Sequence, residues 1–248
     1  MRADRMSPLV SPDQDTAVND ITPTRPQNRP EPSTPPKAVA QHYFSARPEV
    51  TEERRQLRIR LAGHEVSVWT ANGVFSTDRL DLGTSVLLRE APQPPREGTF
   101  LDLGCGWGPI ALTLAMHSPE ATVWAVDVNE RALALTSDNA QSLGLTHVRT
   151  ALPEQVDKEA TFDVIWSNPP IRIGKAALHT LLSTWLPRLA PGGTAYLVVQ
   201  KNLGADSLQS WLNGTLSSSY HVDRYASAKG FRVLRVRREP NDSWIDPA

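Results

Sequence analysis

The chain alternates between strand-like and helix-like segments from residue 99 onward, and this alternation restricts its fold more than any other feature. Apolar strands are predicted over residues 99–103, 122–128, 162–166 and 194–200. Each is followed by a predicted helix, over residues 109–117, 130–143, 175–189 and 205–216. Two further strands, over residues 220–227 and 231–238, predict a closing hairpin. Repeated βα units are typical of a doubly wound α/β fold with a mainly parallel sheet, to which the hairpin adds an antiparallel strand.

Two shorter patterns precede this alternation and predict an N-terminal extension. Residues 57–61 and 65–69 alternate apolar and polar side chains around a glycine-containing turn, which is typical of a β-hairpin. A short helix is predicted over residues 80–90, before a break rich in proline. We therefore interpret residues 37–95 as a hairpin-and-helix extension and residues 96–240 as the main domain.

The first 36 residues have a different composition from the rest of the chain. Residues 1–36 hold eight of the 21 prolines and no aromatic residue. Such a segment cannot bury enough apolar surface to offset the entropy lost on ordering. We predict that residues 1–36 are a disordered, Pro-rich tail.

Charge and cysteine content exclude several classes of function. Lys and Arg number 26 against 27 Asp and Glu, so there is no chain-wide positive field to attract nucleic acid. One cysteine excludes a disulfide framework, and the six histidines show no metal-ligand spacing, so no metal is expected. No apolar run reaches the ~20 residues of a membrane span, and the N-terminus lacks a secretory pattern. We expect a cytoplasmic protein with no membrane partner.

The turn after the first strand of the main domain is rich in glycine. It contains the run Leu101-Asp102-Leu103-Gly104-Cys105-Gly106-Trp107-Gly108. Glycines let a backbone turn tightly and let a ligand approach it closely. Pro109 stands where a nicotinamide fingerprint requires glycine, and Asp127, at the end of the next strand, can accept both hydroxyls of a ribose. Together these residues predict a site for a cofactor that contains adenosine.

A second motif, Ser167-Asn168-Pro169-Pro170, follows the strand over residues 162–166. Ligands of open α/β sheets bind at the carboxyl ends of the strands, so this motif is expected to lie near the glycine turn. The prolines remove backbone N–H groups, which leaves the Asn168 amide oxygen and the Pro169 carbonyl as acceptors. Two converging acceptors suit a planar –NH₂ group and would stabilise positive charge developing on its nitrogen.

The runs LDLGCGWG, VWAVDVN and FDVIWSNPP, in this order, resemble the class I S-adenosylmethionine-dependent methyltransferases that carry Asn-Pro-Pro and methylate nitrogen. Upstream, Gly73-Val74-Phe75-Ser76 and Leu80-Asp81 followed by Gly83-Thr84 are similar to the ribosomal RNA small-subunit guanine-N2 methyltransferases. The likeness covers residues 57–238 and extends to Lys229-Gly230-Phe231-Arg232-Val233. It implies a Rossmann-like methyltransferase domain with a seven-stranded sheet, and S-adenosyl-L-methionine as its cofactor.

The resemblance also implies a role for individual residues. It predicts seven cofactor-binding residues: Asp102, Gly104, Gly106, Gly108, Asp127, Phe75 and Asp81. It predicts three catalytic residues around the target amine: Asn168, Pro169 and Pro170. It predicts three substrate-binding residues after them: Ile171, Arg172 and Lys175.

Three departures from the family pattern bear on the substrate. Residues 150–154 lack the Asp or Asn that usually contacts adenine, and Ile171 replaces an aromatic residue that could stack on a base. The enzymes of this group carry a second methyltransferase-like half before the catalytic one, whereas a hairpin and the tail stand there in this chain. We therefore expect RNA to dock differently, with the basic stretches over residues 47–60 and 224–238 as candidate contacts.

The predicted reaction is N-methylation of a guanine in ribosomal RNA, either free or within a ribosomal subunit. Because a side-chain amide presents the same –NH₂ geometry, protein-glutamine methylation is an alternative. Small-molecule N-methylation and a non-catalytic scaffold with this fold are two further alternatives.

Overall fold

The computed structural model describes residues 51–240 of the chain. The predicted tail over residues 1–36 lies outside the described residues, as do residues 37–50 of the predicted extension. Nine β-strands are described: β1 (Arg54–Leu61), β2 (His64–Ala71), β3 (Glu97–Leu103), β4 (Glu120–Val126), β5 (Val148–Ala151), β6 (Phe162–Ser167), β7 (Leu189–Gln200), β8 (Tyr220–Ala228) and β9 (Phe231–Arg238). Five α-helices are described: α1 (Leu82–Glu90), α2 (Pro109–His117), α3 (Glu130–Ser142), α4 (Lys175–Trp185) and α5 (Ala205–Thr215).

Seven strands form one sheet in the order β5-β4-β3-β6-β7-β9-β8. The first five are parallel, and β9 runs antiparallel to both β7 and β8. This confirms the predicted doubly wound, mainly parallel sheet. The strand order reverses between β3 and β6, so a ligand is expected at their carboxyl ends.

Both faces of the sheet are buried, as expected for parallel strands covered by helices. Leu101 and Ile165 point to one face, where α4 and α5 contribute to the core. Their neighbours Phe100 and Val164 point to the other face, beneath α1 and α2. Burial on both sides fixes the register of β3 against β6 and so fixes the loops that leave them.

The predicted N-terminal hairpin is confirmed as β1 and β2, which form a separate two-stranded sheet. Leu61 and Val68 pack with Trp107 in a third core cluster. The buried Asn139 side chain of α3 accepts from the Trp69 backbone N–H at 2.6 Å and donates to the Trp69 carbonyl at 2.9 Å. It also donates to the Trp107 carbonyl at 3.0 Å, so one amide joins the hairpin to the glycine turn.

The structure differs from the predicted elements at three places. One strand, β5, has only four residues and is not among the predicted strands. The helix predicted over residues 175–189 ends at Trp185 and is followed by a 3-10 turn, because Pro187 cannot continue an α-helix. The strand predicted over residues 194–200 already begins at Leu189, and the first part of β7 pairs irregularly with β6 next to Phe162. None of the helices in the described part of the chain is long and apolar enough to cross a membrane.

Candidate active site

The glycine turn between β3 and α2 is open on one side at two of its three glycines. Gly104, Gly106 and Gly108 all have positive φ, at 81°, 58° and 96°. A Cβ added to Gly104 or Gly106 would meet no protein atom within 4 Å. A Cβ on Gly108 would lie 2.9 Å from the Thr136 side chain, so this glycine makes room for packing of α3. Gly104 and Gly106 therefore leave space for a ligand, whereas Gly108 serves the fold.

Asp102 lies in β3 directly before this turn and is fully buried. Its Oδ2 accepts from the Ala111 backbone N–H at 2.9 Å, whereas its Oδ1 has no hydrogen-bond partner within residues 51–240. Burial raises the pKa of this carboxyl to about 8. In its ionised form this carboxyl has an unpartnered acceptor next to an open glycine turn, which fits a cofactor that carries an ammonium group, as S-adenosylmethionine does.

Asp127 follows β4 and ties its end to the glycine turn. Its Oδ2 accepts from the Gly106 backbone N–H and its Oδ1 from the Asn129 backbone N–H, both at 2.9 Å. Burial raises the pKa of this carboxyl as well. Because each carboxylate oxygen can accept more than one hydrogen bond, Asp127 retains capacity for a hydroxyl.

Asn168 follows β6, and its side chain is oriented by the N-terminus of α1. Its Nδ2 donates to Oδ2 of Asp81 at 2.8 Å and to Oγ1 of Thr84 at 2.9 Å. Asp81 is the N-cap of α1, and its Oδ2 also accepts from the Thr84 backbone N–H at 3.0 Å. An ionised carboxylate can only accept, so the amide nitrogen must face Asp81. The Asn168 Oδ1 has no partner in the described residues and remains available as an acceptor.

The two prolines after Asn168 begin an irregular turn. The Pro169 carbonyl accepts from the Ile171 backbone N–H at 2.8 Å, and the Pro170 carbonyl accepts from Ile173 at 3.2 Å. A carbonyl oxygen has two lone pairs, so Pro169 keeps one for a further donor. Within the described residues, the motif therefore leaves the Asn168 Oδ1 and one lone pair of the Pro169 carbonyl without a donor.

The three predicted substrate residues lie in and after this turn. Ile171 is half-buried and packs against the core on the α4 side of the sheet. Arg172 and Lys175 are exposed, Lys175 being the first residue of α4. Ile171 thus contributes partly to the core, and the two cations face solvent next to the Asn-Pro-Pro motif.

A cleft beside the glycine turn brings one subset of the predicted residues together. Five of them line it: Phe75, Asp81, Gly104, Gly106 and Asn168. Eight do not: Asp102, Gly108, Asp127, Pro169, Pro170, Ile171, Arg172 and Lys175. The cleft therefore joins the glycine turn, the Asn168 amide and the segment before α1.

The cleft also contains residues to which the sequence assigned no role. Trp107 is buried in the third core cluster, and its Nε1 donates to the Ser76 carbonyl at 3.0 Å. Ser76 has a positive φ of 57°, and beside it the Phe75 side chain is 51% exposed at the cleft. Thr84 could have been found from its spacing, since it stands three residues after the helix cap Asp81.

Other reactive groups are inert or missing in the part of the chain that the structure describes. The Cys105 side chain lines the cleft, but burial raises the pKa of its thiol well above the usual range, so it is no thiolate nucleophile. No group of three or more His, Cys, Asp or Glu side chains within residues 51–240 could hold a metal ion.

The sheet order, the open glycine turn and the oriented Asn168 amide define a class I S-adenosylmethionine-dependent methyltransferase. The family model described as methyltransferase small domain matches residues 65–235, and the chain belongs to that family. Its cofactor is S-adenosylmethionine. This confirms the methyltransferase fold and the cofactor that the sequence predicted.

Comparison with individual proteins places ribosomal RNA enzymes among the relatives. Uncharacterized protein YbxB of Bacillus subtilis is 33% identical over 203 residues, which are 81% of this chain and 100% of that protein. Ribosomal RNA small subunit methyltransferase C of Erwinia tasmaniensis is 35% identical over 177 residues, 70% of this chain and 51% of that protein. The chain thus spans about half the length of this methyltransferase C relative.

One solved structure shows the shared fold. The 16S rRNA N2 G1207 methyltransferase RsmC of T. thermophilus, in complex with AdoMet and guanosine, superimposes with a TM-score of 0.63 at 24% identity. The match covers 75% of this chain and 51% of that one.

Proposed function

We propose that this methyltransferase acts on the exocyclic amine of a guanine in small-subunit ribosomal RNA. The observation that carries the proposal is the Asn168 amide, which lines the cleft, whose nitrogen is held by Asp81 and Thr84 and whose oxygen has no partner within residues 51–240. The names of the methyltransferase C relatives support ribosomal RNA as the substrate class. The similar fold of RsmC, an N2 methyltransferase solved with guanosine, supports the N2 position of guanine.

The two acceptors after β6 suit this amine. One N–H of a planar –NH₂ group would donate to the Asn168 Oδ1 and the other to the Pro169 carbonyl. These two hydrogen bonds hold both N–H groups in one plane and leave the nitrogen lone pair perpendicular to that plane. They also stabilise the positive charge that develops on the nitrogen. A strong base is not required if the proton leaves to solvent after the transfer. Asp81 and Thr84 act through Asn168 as positioning residues.

The cofactor would be held at the carboxyl ends of β3 and β4 and by the turns that follow these strands. Gly104 and Gly106 leave the required space, Asp102 offers an unpartnered acceptor, and Asp127 keeps capacity for a ribose hydroxyl. When bound, S-adenosylmethionine supplies an electrophilic methyl group. Phe75 would cover the site, since its exposed ring borders the same cleft.

A guanine inside a duplex cannot reach a cleft of this kind. Sequence-specific recognition of RNA targets unstacked bases, and enzymes that modify a base draw it out of its stack. We therefore propose that the target lies in a loop, or in an assembly intermediate of the small subunit, rather than in a regular helix.

The test is transfer of radiolabelled methyl from S-adenosylmethionine to small ribosomal subunits and free ribosomal RNA from a strain that lacks this gene. The labelled RNA is digested to nucleosides, and Asn168→Ala protein serves as the control. Label in N2-methylguanosine that disappears with Asn168→Ala would support the proposal. Label in protein would favour the glutamine alternative instead, and no label in either fraction would leave a small molecule or a scaffold.

A further inference from the structure

A second cleft, of about 610 Å³, lies at the turn between β8 and β9 and is rich in positive charge. Its lining includes Lys201, which follows β7, together with Arg224 and Lys229 of the hairpin. The turn lies beside the end of β7, because Phe231 is in register with Gln200. This basic cleft therefore opens on the carboxyl edge of the sheet, the edge that also carries the active-site cleft.

Three cations at the basic cleft have no acidic partner within residues 51–240. Lys201, Arg224 and Lys229 are exposed, and no carboxylate of the described chain forms an ion pair with them. The acidic side chains between residues 200 and 239 each have another basic partner: Asp206 with Arg232, Asp223 with Arg235, and Glu239 with His221. An anion in the basic cleft would thus meet three unpaired positive charges and no free carboxylate.

Among the other cations of the basic C-terminal stretch, Arg232 also lines the cleft but is paired with Asp206, and the remaining three lie elsewhere. Arg235 is held by two hydrogen bonds of 2.9 and 2.6 Å to a carboxylate of β8. Arg237 is in register with Thr194, and Arg238 donates to the Leu189 carbonyl at the start of β7. Both therefore lie toward the amino edge of the sheet. The structure thus divides a stretch that the sequence presents as one basic patch.

Phe231 connects the basic cleft to the active site. It lines the basic cleft, and its ring Cε1 is 2.9 Å from the point where a Cβ on Gly83 would lie. The Asp81 carboxylate is 3.0 Å from the same point, and Asp81 holds the Asn168 amide. Along the sheet, β9 is two strands away from β6, which corresponds to about 10 Å at the usual strand spacing.

We propose that Lys201, Arg224 and Lys229 bind phosphates of the substrate RNA next to the nucleotide whose amine faces Asn168. This inference rests on the proposed function and adds to it a path for the RNA strand along the carboxyl edge of the sheet. Lysine and arginine contacts to phosphates fix the register of a nucleic acid without reading its sequence. A local site of this kind allows a chain with no net positive charge to hold a polyanion close to its cleft.

The test measures the affinity of the full chain for small-subunit ribosomal RNA transcribed in vitro, at several salt concentrations. The variant combines Lys201→Ala, Arg224→Ala and Lys229→Ala. The matched control combines Arg96→Ala, Lys158→Ala and Arg237→Ala, three exposed cations toward the amino edge of the sheet. For binding to a single strand, each phosphate contact contributes about 0.7 to the magnitude of the slope of log K against log salt concentration. In the triple variant of the basic cleft we expect the magnitude of this slope to fall by about 2. We also expect this variant to bind RNA at least roughly tenfold more weakly near 0.1 M salt.

The control variant should keep the wild-type slope, and both variants should keep wild-type affinity for S-adenosylmethionine. If the triple variant is unstable, the three single variants provide a second measurement. Each should lower the magnitude of the slope by part of the decrease expected for the triple variant. RNA binding that depends on these cations in a chain that methylates no RNA would support the basic cleft and refute the proposed activity. RNA methylation with an unchanged slope in the cleft variant would overturn the basic cleft and leave the activity standing.

Discussion

The Asn168 side chain donates from Nδ2 to Oδ2 of Asp81 at 2.8 Å, across 87 positions of the sequence. Asp81 is the N-cap of α1, so the terminus of a helix that precedes β3 sets the orientation of an amide that follows β6. The resemblance to known methyltransferases implied that Asp81 touches the cofactor. Its contacts in the structure support a positioning role in addition, in which Asp81 would decide which atom of Asn168 faces the substrate.

Replacement of Asp81 should therefore lower the rate of methyl transfer more than the affinity for the cofactor. In Asp81→Ala the Asn168 amide loses one of its two fixed acceptors and can rotate, which we expect to reduce kcat by about 10- to 100-fold. Asp81→Asn keeps an acceptor for both Asn168 and the α1 cap, so it should recover most of the rate. Steady-state kinetics and calorimetric titration of S-adenosylmethionine measure the two effects. A loss of cofactor affinity as large as the loss of kcat would contradict the positioning role.

Thr84 provides an independent check on the same arrangement. Thr84→Val removes the hydroxyl that accepts from Asn168 but keeps the volume, whereas Thr84→Ser keeps the hydroxyl. We expect Thr84→Val to lower kcat about tenfold and Thr84→Ser to stay close to the wild type. Equal rates for the two variants would show that the hydroxyl contributes nothing to the orientation of Asn168.

The glycines of the turn after β3 should respond to alanine substitution in two different ways. At Gly106 an added Cβ enters open space, so Gly106→Ala should weaken S-adenosylmethionine binding by at least about tenfold while costing only about 1 kcal/mol in stability through its positive φ. At Gly108 the added Cβ would contact Thr136 at 2.9 Å, so Gly108→Ala should mainly lower the free energy of unfolding. Denaturant titration and cofactor titration of both variants separate the two effects. The reverse pattern would show that Gly108, not Gly106, faces the cofactor.

Most strands of the sheet could be predicted because buried side chains recur along the chain in a regular pattern. Strands such as β3 and β6 are buried on both faces, and each is followed by an amphipathic or apolar helix, so local patterns carry the topology. The prediction failed where a single residue or a short stretch of irregular strand pairing determines the structure. β5 has only four residues, and the Pro-Gly-Gly run of β7 forms an irregular pairing that local propensity describes as a break.

The motifs of the site could be predicted, but not the contacts that orient them. The Asn168 motif and the glycine turn stand at the ends of strands, where the topology brings them together. The donor geometry of Asn168 depends on Asp81 and Thr84, which are more than 80 residues away and belong to another element. Likewise, the large side chain of Trp107 is typical of a core residue, and only the fold shows that its Nε1 also donates to the Ser76 carbonyl. Such long-range hydrogen bonds have no periodic signal in a single sequence.

The Asn139 side chain should be one of the most sensitive positions for stability. It is fully buried and makes three hydrogen bonds to backbone groups of Trp69 and Trp107. Asn139→Ala would leave these groups unpaired beneath the hairpin, so we expect a loss of about 2–4 kcal/mol in the free energy of unfolding. Asn213→Ala, on the exposed side of α5, is the matched control and should change stability by less than about 0.5 kcal/mol. Similar values for the two variants in urea denaturation would contradict the anchoring role of Asn139.

The stability of the cofactor-free protein should fall as the pH rises from 5 to 8, and Asp102 should account for much of that fall. Burial raises the pKa of Asp102 from the usual 3.8 to about 8 in the folded chain. Between these two values the folded state binds a proton that the unfolded state has released. The free energy of unfolding therefore decreases with pH, by at most about 1.4 kcal/mol per pH unit for this one group.

Asp102→Asn removes the titration but keeps an acceptor for the Ala111 backbone N–H, so its stability should depend less steeply on pH than that of the wild type. Some dependence should persist, because burial raises the pKa of Asp127 in the same direction. The measurement is urea denaturation of both proteins at pH 5, 6, 7 and 8 without S-adenosylmethionine, and the difference between the two curves isolates Asp102. Parallel curves would mean that Asp102 is ionised in the folded protein throughout this range, with a partner for its Oδ1 that lowers its pKa.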